Sequence, residues 1–188
     1  MKIGLTGGIC CGKSTTLAVF GRYGFETINL DDYVRQALRG NDRVKDGLRR
    51  HFGAECVDAD GELLVRKLAQ IVFNRHDARE VLESIIHPEI DFLWTQKVSV
   101  PTAIEVPLLF ENNLAQHFDC TVCVYSSFAA QLSRSIVSRG WDRGELERRM
   151  EAQFPVEEKI LRADFVLGNC GNLLQLERQM QLLLAQLI

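Results

Sequence analysis

Lys2-Ile3-Gly4-Leu5-Thr6-Gly7-Gly8-Ile9-Cys10-Cys11-Gly12-Lys13-Ser14 decides the fold: a short strand-like run enters the pattern Gly-x-x-x-x-Gly-Lys-Ser, and Thr15-Thr16-Leu17-Ala18-Val19-Phe20 carries on as a helix. A loop in this setting turns its backbone N–H groups inward around a phosphate, while the positive end of the following helix faces the same charge. The pattern therefore selects a nucleoside triphosphate. Gly8, Ile9, Cys10, Cys11, Gly12 and Thr15 belong to the cradle, Lys13 reaches the β and γ phosphates, and the Ser14 hydroxyl sits on Mg²⁺.

Outward from this stretch, four more apolar, β-branched runs follow: Phe25 to Leu30, Thr102 to Val106, Cys120 to Tyr125 and Asp164 to Leu167. Helical patterns separate them, which predicts a doubly wound parallel α/β sheet with ligands beyond the carboxyl ends of its strands. The segment Asp32 to Pro101 is too long for one crossover and reads as a helical insertion, 32–100, shaping a second substrate's pocket. Its expected helices are Asp32 to Leu38, Asp42 to Phe52, Leu63 to Phe73, Ala78 to Ile86 and Pro88 to Val98, the last starting at its proline. The charged run Ser138 to Arg149, after a helix Ala129 to Val137, reads as mobile lid material, and Asn172 to Ile188 as an amphipathic helix. The expected division is a nucleotide core of 1–31, 101–138 and 153–188, the insertion, and a lid of 139–152.

At 188 residues the chain suits one unit with insertions, and 46% hydrophobic with 25% charged residues is an ordinary globular balance. A net charge of −3 argues against a nucleic-acid or anionic-membrane binder. No apolar run approaches the roughly 18 residues of a membrane span, and the glycine-broken N-terminus has no signal-peptide core. The six cysteines form no compact framework, which fits reduced thiols in a cytoplasmic protein; a monomer is expected, with an oligomer as the alternative. Cys120 and Cys123 spell C-x-x-C, but on a strand residues three apart leave opposite faces and cannot share a metal.

Phosphoryl transfer needs a carboxylate near the acceptor, cations and a metal. Asp31, ending the second strand run, fits two jobs: base or holder of a metal-bound water, and cap of the helix beginning Tyr33. Glu105 closes a hydrophobic strand, where a carboxylate touches Mg²⁺ through water or is simply a solvated strand end. Arg134, Arg139, Arg143, Arg148 and Arg149 crowd the lid region, some as helix-face partners of Glu145, Glu147 and Glu151. His87 fits a helix cap, a core carbonyl or a substrate. Asp58-Ala59-Asp60-Gly61 matches a GTPase switch only loosely, and no Asn-Lys-x-Asp guanine motif exists.

Together these segments resemble the dephospho-CoA kinase family. The likeness runs nearly end to end: Leu5-Thr6-Gly7-Gly8-Ile9 into Gly12-Lys13-Ser14-Thr15, Ile28-x-x-Asp31-x-x-x-Arg35, Asp60-Gly61 with Val72-Phe73, Leu82-Glu83-x-Ile85-Ile86-His87-Pro88-Glu89-Ile90, Val106-Pro107-Leu108-Leu109-Phe110-Glu111, Gln131-x-x-Arg134, Arg139, Arg149-Met150-x-x-Gln153, Lys159-x-x-x-Ala163-Asp164 and Asn169-x-Gly171. The resemblance implies a P-loop kinase core with sheet order 2-3-1-4-5, a helical substrate domain and a lid. It implies ATP and Mg²⁺, and phosphorylation of the ribose 3′-hydroxyl of dephospho-CoA. Asp31 falls on the family's catalytic aspartate. Lys13, Ser14 and Arg139 take phosphate and magnesium roles, and Asn169 and Gly171 lie beside adenine. Thr6, Arg35, His87, Leu108, Leu109, Glu111 and Arg149 fall on the acceptor side, Arg149 as a second phosphate clamp.

Three positions depart from the family. Cys10-Cys11 replaces a usual Gly-Ser, and a left-handed backbone at Cys10 would cost about 1–2 kcal/mol. Asn29-Leu30-Asp31 stands for Asp-Ala-Asp, keeping only the second carboxylate, and Leu64-Val65 stands for Asp-Arg with Arg66 displaced by one. Beside Lys13 and a helix N-terminus, the thiols of Cys10 and Cys11 are expected to have depressed pKa values, which would make oxidation a block on ATP binding; the alternative is a pair of small neutral loop fillers. Competing readings are a nucleoside monophosphate kinase, whose phosphate acceptor needs no base, and a nucleotide switch with no small-molecule acceptor.

Overall fold

The computed structural model describes residues 1–58 and 63–187. The turn Asp58-Ala59-Asp60-Gly61, from residue 59 on, and the side chain of Arg66 lie outside that description. The chain folds into two compact units, one of Met1–Leu30 with Val98–Ile188 and one of Asp31–Lys97.

The first unit holds a five-stranded sheet in the order β2-β3-β1-β4-β5, with β1 Lys2–Gly7, β2 Glu26–Asn29, β3 Thr102–Glu105, β4 Cys120–Tyr125 and β5 Phe165–Gly168. All four pairings are parallel, the order expected of a P-loop kinase. The central strands are buried on both faces, which is why they read as unbroken apolar runs instead of alternating ones. The helices are α1 Lys13–Arg22, α6 Phe128–Arg139, α7 Arg143–Glu151, α8 Val156–Arg162 and α9 Leu173–Leu187. Phe20 of α1 meets Phe25 edge-on at 5.2 Å, and Leu176, Met180 and Leu183 of α9 join the same core as Ile3, Leu5 and Val122. Register sets the site: Leu5 of β1 and Asn29 of β2 both pair with Glu105, where β2 and β3 end, and β1 runs two residues further to Gly7.

The second unit is helical: α2 Leu30–Gly40, α3 Asp42–Phe52, α4 Val65–Asn74 and α5 His76–Thr95. Asn41 caps α3 by accepting from Arg43 and Val44 N–H at 3.0 and 3.3 Å. Leu38, Val44, Leu48, Leu68 and Ile86 form its core, and Gly47 lets α3 approach Ile85 so closely that a Cβ there would lie 3.1 Å away.

Two expectations need correction. The break at Pro88 does not occur: α5 runs through it, so His87 is an exposed mid-helix residue and caps nothing. A proline inside a helix removes one N–H donor and crowds one carbonyl, and a 20-residue helix on a packed core outweighs that. Asp31 is not an N-cap either, since α2 already starts at Leu30 and places Asp31 in its first turn. The charged run after Val137 forms the end of α6 and the whole of α7, each with its own cap: Gly140 in the left-handed region closes α6, and Asp142 accepts from Glu145 N–H at 2.8 Å to open α7.

Candidate active site

The loop after β1 is held by backbone geometry that side chains would disrupt. Gly7 has φ 144° and Gly12 φ 88°, and a Cβ would strike Val124 O at Gly7 and Asn169 Nδ2 at Gly12. Cys10 has φ 55°, so the departure from glycine falls on a left-handed position and carries the strain expected of it.

Three side chains, two from α6 and one from the residue after β5, brace the loop. Gln131 Nε2 donates to Ile9 O at 2.7 Å and lies 3.3 Å from Cys11 Sγ. Asn169 Nδ2 donates to Cys11 O at 2.9 Å. Arg134 Nη1 donates to the carbonyls of Cys10 and Cys11 at 3.4 and 3.3 Å and to Ser126 Oγ at 2.9 Å, while Nη2 donates to Asn169 O at 2.6 Å. Sequence reasoning grouped Arg134 with the lid cations. The missed signal was its position one turn after Gln131, which puts both on the α6 face that meets the loop.

Lys13 Nζ donates to Gly7 O and Gly8 O at 3.1 and 3.0 Å. Burial lowers its pKa and is the largest influence, with Glu105 acting in the opposite sense. Ser14 Oγ donates to Glu105 Oε1 at 3.4 Å, and Asn29 Nδ2 donates to Glu105 Oε2 at 3.0 Å. Asn29 therefore has a place in the site: where the family often carries a carboxylate, this chain puts an amide donor against a carboxylate that is only 5% exposed. Ser14 and Glu105 form a small, hard oxygen set at the carboxyl ends of the strands. That suits Mg²⁺, which takes few protein ligands and completes its shell with phosphate and water.

The turn after β3 is anchored rather than open. Thr6 is fully buried with its hydroxyl donating to Pro107 O at 3.2 Å, and Leu109 is fully buried under Gly4. Both therefore support the site from behind, while Leu108 is exposed. Lys159 of α8, fully buried, reaches Glu111 Oε1 at 2.8 Å and Pro107 O at 2.9 Å, and Phe154 N–H donates to the same Glu111 oxygen at 3.0 Å. A cavity of about 600 Å³ opens beside Gly8 and Ile9, walled by Phe128, Met150 and Phe154.

Past the loop, Arg139 and Arg149 both lie near Trp141, and Arg149 Nε donates to Glu145 Oε1 at 2.6 Å. Hydrogen bonds from Arg148 first, then Arg149, hold the Glu145 carboxyl down at about 2, so it is ionised at any physiological pH. Asn169 backbone N–H pairs with Tyr125 O at 2.7 Å, and the end of the exposed Gln175 side chain lies over Gly171. Asp31, Arg35 and His87 belong to the helical unit and are all exposed, with an ion pair of 3.1 Å between Arg35 and Asp32.

The expected low thiol pKa is overturned at Cys11. Its side chain is fully buried, and desolvation raises its pKa more than Lys13 lowers it. A neutral buried thiol is a poor nucleophile, so this sulfur is a packing atom under the loop.

A model of the dephospho-CoA kinase family matches residues 1–175. The chain belongs to the dephospho-CoA kinase family. A dephospho-CoA kinase of Staphylococcus epidermidis is 31% identical over 98% of this chain and 94% of its own length. Among solved structures, TT1252 from Thermus thermophilus superposes with a TM-score of 0.81 at 33% identity, covering 100% of this chain and 98% of that one. A dephospho-CoA kinase from Campylobacter jejuni, at 22% identity, shares the fold with a TM-score of 0.71 over 100% and 98% of the two chains. Like the family it belongs to, the chain is a P-loop kinase that phosphorylates dephospho-CoA with ATP in coenzyme A biosynthesis.

Proposed function

We propose that the phosphoryl group goes to the ribose 3′-hydroxyl of dephospho-CoA, with Asp31 as the base that takes the hydroxyl proton. The observation that carries this reading is the convergence of Lys13, Ser14, Glu105 and Asn29 at the carboxyl ends of β1, β2 and β3. Asp31 follows Asn29 by two residues, and two residues of chain span at most about 7 Å. Ser14 and Glu105 would hold Mg²⁺, which when bound would supply positive charge against the triphosphate. Asn29 orients Glu105. Lys13 swings from the Gly7 and Gly8 carbonyls to phosphate oxygens, and Arg139 adds positive charge to the transferring group. Asn169 and Gly171 border the adenine. Arg35 and His87 of the helical unit, and Leu108, Glu111 and Arg149 of the core, are each assigned to acceptor binding, with 139–152 as lid. The protein works as a cytoplasmic monomer.

Two variants test the assignment. Lys13→Ala should weaken triphosphate handling and lower kcat/KM by about 10²–10³-fold. Asp31→Asn should bind ATP normally and lose about 10²–10⁴-fold in transfer. Coupled ADP release with dephospho-CoA, AMP, CMP, adenosine and no acceptor separates the readings: stimulation by dephospho-CoA with CoA as product supports ours. Stimulation by a monophosphate, or near-normal turnover in Asp31→Asn, removes the hydroxyl-deprotonating role.

A further inference from the structure

Trp141 follows the left-handed cap Gly140 and stands where two cations meet. The guanidinium carbon of Arg139, the last residue of α6, lies 4.8 Å from the ring centroid, and that of Arg149, in the last turn of α7, lies 4.1 Å away. Both distances are inside the roughly 6 Å range of cation–π attraction. Two like charges gathered on one side chain repel each other, and the negative face of an indole offsets that repulsion. The backbone that carries the ring is fixed at both polar groups: the Trp141 backbone N–H donates to Ser135 O at 3.3 Å, and its carbonyl accepts from Ser135 Oγ at 3.4 Å, with Ser135 fully buried. Leu146, fully buried, anchors α7, and Glu145 steers Arg149 by its 2.6 Å hydrogen bond. A guanidinium lying on a ring keeps its in-plane N–H groups turned outward, where they can meet phosphate oxygens.

We propose that Trp141 is a positioning residue that gathers Arg139 and Arg149 into one preformed clamp for the phosphates of the bound substrates. It touches no substrate and acts through the two arginines, so the proposal rests on their reading as phosphate clamps. Its effect is preorganisation: arginines that are already converged lose less rotamer freedom when they close on an anion.

The test is steady-state transfer from ATP to dephospho-CoA. Trp141→Leu should lower kcat/KM for ATP about tenfold, the size expected from two exposed cation–π contacts, and Trp141→Phe should stay within about threefold of the parent. In an Arg139→Ala/Arg149→Ala background, adding Trp141→Leu should change kcat/KM less than about twofold, because nothing is left to position. An undiminished loss in that background, or full activity of Trp141→Leu in the parent, overturns the proposal. If the arginine substitutions themselves leave kcat/KM unchanged, the clamp reading falls and takes this one with it. Loss in the arginine variants without loss in Trp141→Leu overturns the positioning role alone. Should Trp141→Leu fail to fold, emission decides: the β,γ-imido analogue of ATP should shift tryptophan fluorescence in the parent and not in Trp141→Phe, and equal shifts in both overturn the proposal.

Discussion

Arg134 and Arg139 lie on the same helix, five residues apart, and are used in opposite ways. Arg134 donates to three backbone carbonyls and a serine hydroxyl and is half-buried, while Arg139 is exposed and rests against an aromatic ring. A guanidinium whose hydrogens are taken by carbonyls is a brace, and its charge helps to hold a strained loop in shape. One that rests on a ring keeps its donors for a ligand. The comparison teaches that an arginine near a phosphate site is assigned by where its N–H groups point, not by proximity.

Removing each arginine is the strongest way to break that distinction. Arg134→Ala leaves the Cys10, Cys11 and Asn169 carbonyls short of a donor and should cost about 1–3 kcal/mol in urea unfolding. Arg139→Ala should stay within about 0.5 kcal/mol of the parent while losing activity. Equal destabilisation by both would erase the contrast. A smaller effect tests the strain that Arg134 helps to contain. Cys10→Gly removes a left-handed non-glycine residue and should stabilise the protein by about 1 kcal/mol; a destabilised variant would mean that the Cys10 side chain packs well enough to offset its backbone.

The smallest effect contrasts buried and exposed thiols. Burial pushes the Cys120 thiol up to about 11 and the Cys123 thiol up to about 12, from a usual value of 9.0. A folded-state pKa above the unfolded one means that the unfolded chain releases its proton first. The stabilisation is therefore fully present below about pH 9 and is lost as pH rises toward 11 and 12. Melting temperature measured from pH 8 to 11 should fall, and fall less in Cys123→Ala. At neutral pH, exposed Cys170 should react with a thiol reagent before Cys11, Cys120 and Cys123, and faster labelling of Cys11 would restore the reactive thiol that its burial argues against.

Much of the fold was legible because its signals are local. Gly7, Gly12, Lys13 and Ser14 follow a pattern dictated by a phosphate's size and charge, and apolar strands buried on both faces read as such whatever surrounds them. The five strand runs were placed to within a residue or two, and the separate helical unit showed in the length of chain between the second and third strands. What escaped depends on partners distant in sequence. Pro88 reads as a helix start because its rule is local, yet the packed helical unit carries α5 past it. Asn29 reads as a lost carboxylate until β2 and β3 come into register and put its amide 3.0 Å from Glu105, a partner 76 residues away. Cys11 reads as activated by the neighbouring Lys13 until the core closes beneath it.

By itself the sequence determined the phosphate loop, the parallel sheet with its helical insertion, and the family's chemistry, because backbone conformation, hydrophobic patterning and motif spacing are written in consecutive residues. Only the tertiary structure decided which charged groups are braces and which stay available, which thiols are neutral, and that two arginines meet at Trp141. Desolvation, hydrogen-bond direction and ring contacts exist only between residues that folding brings together.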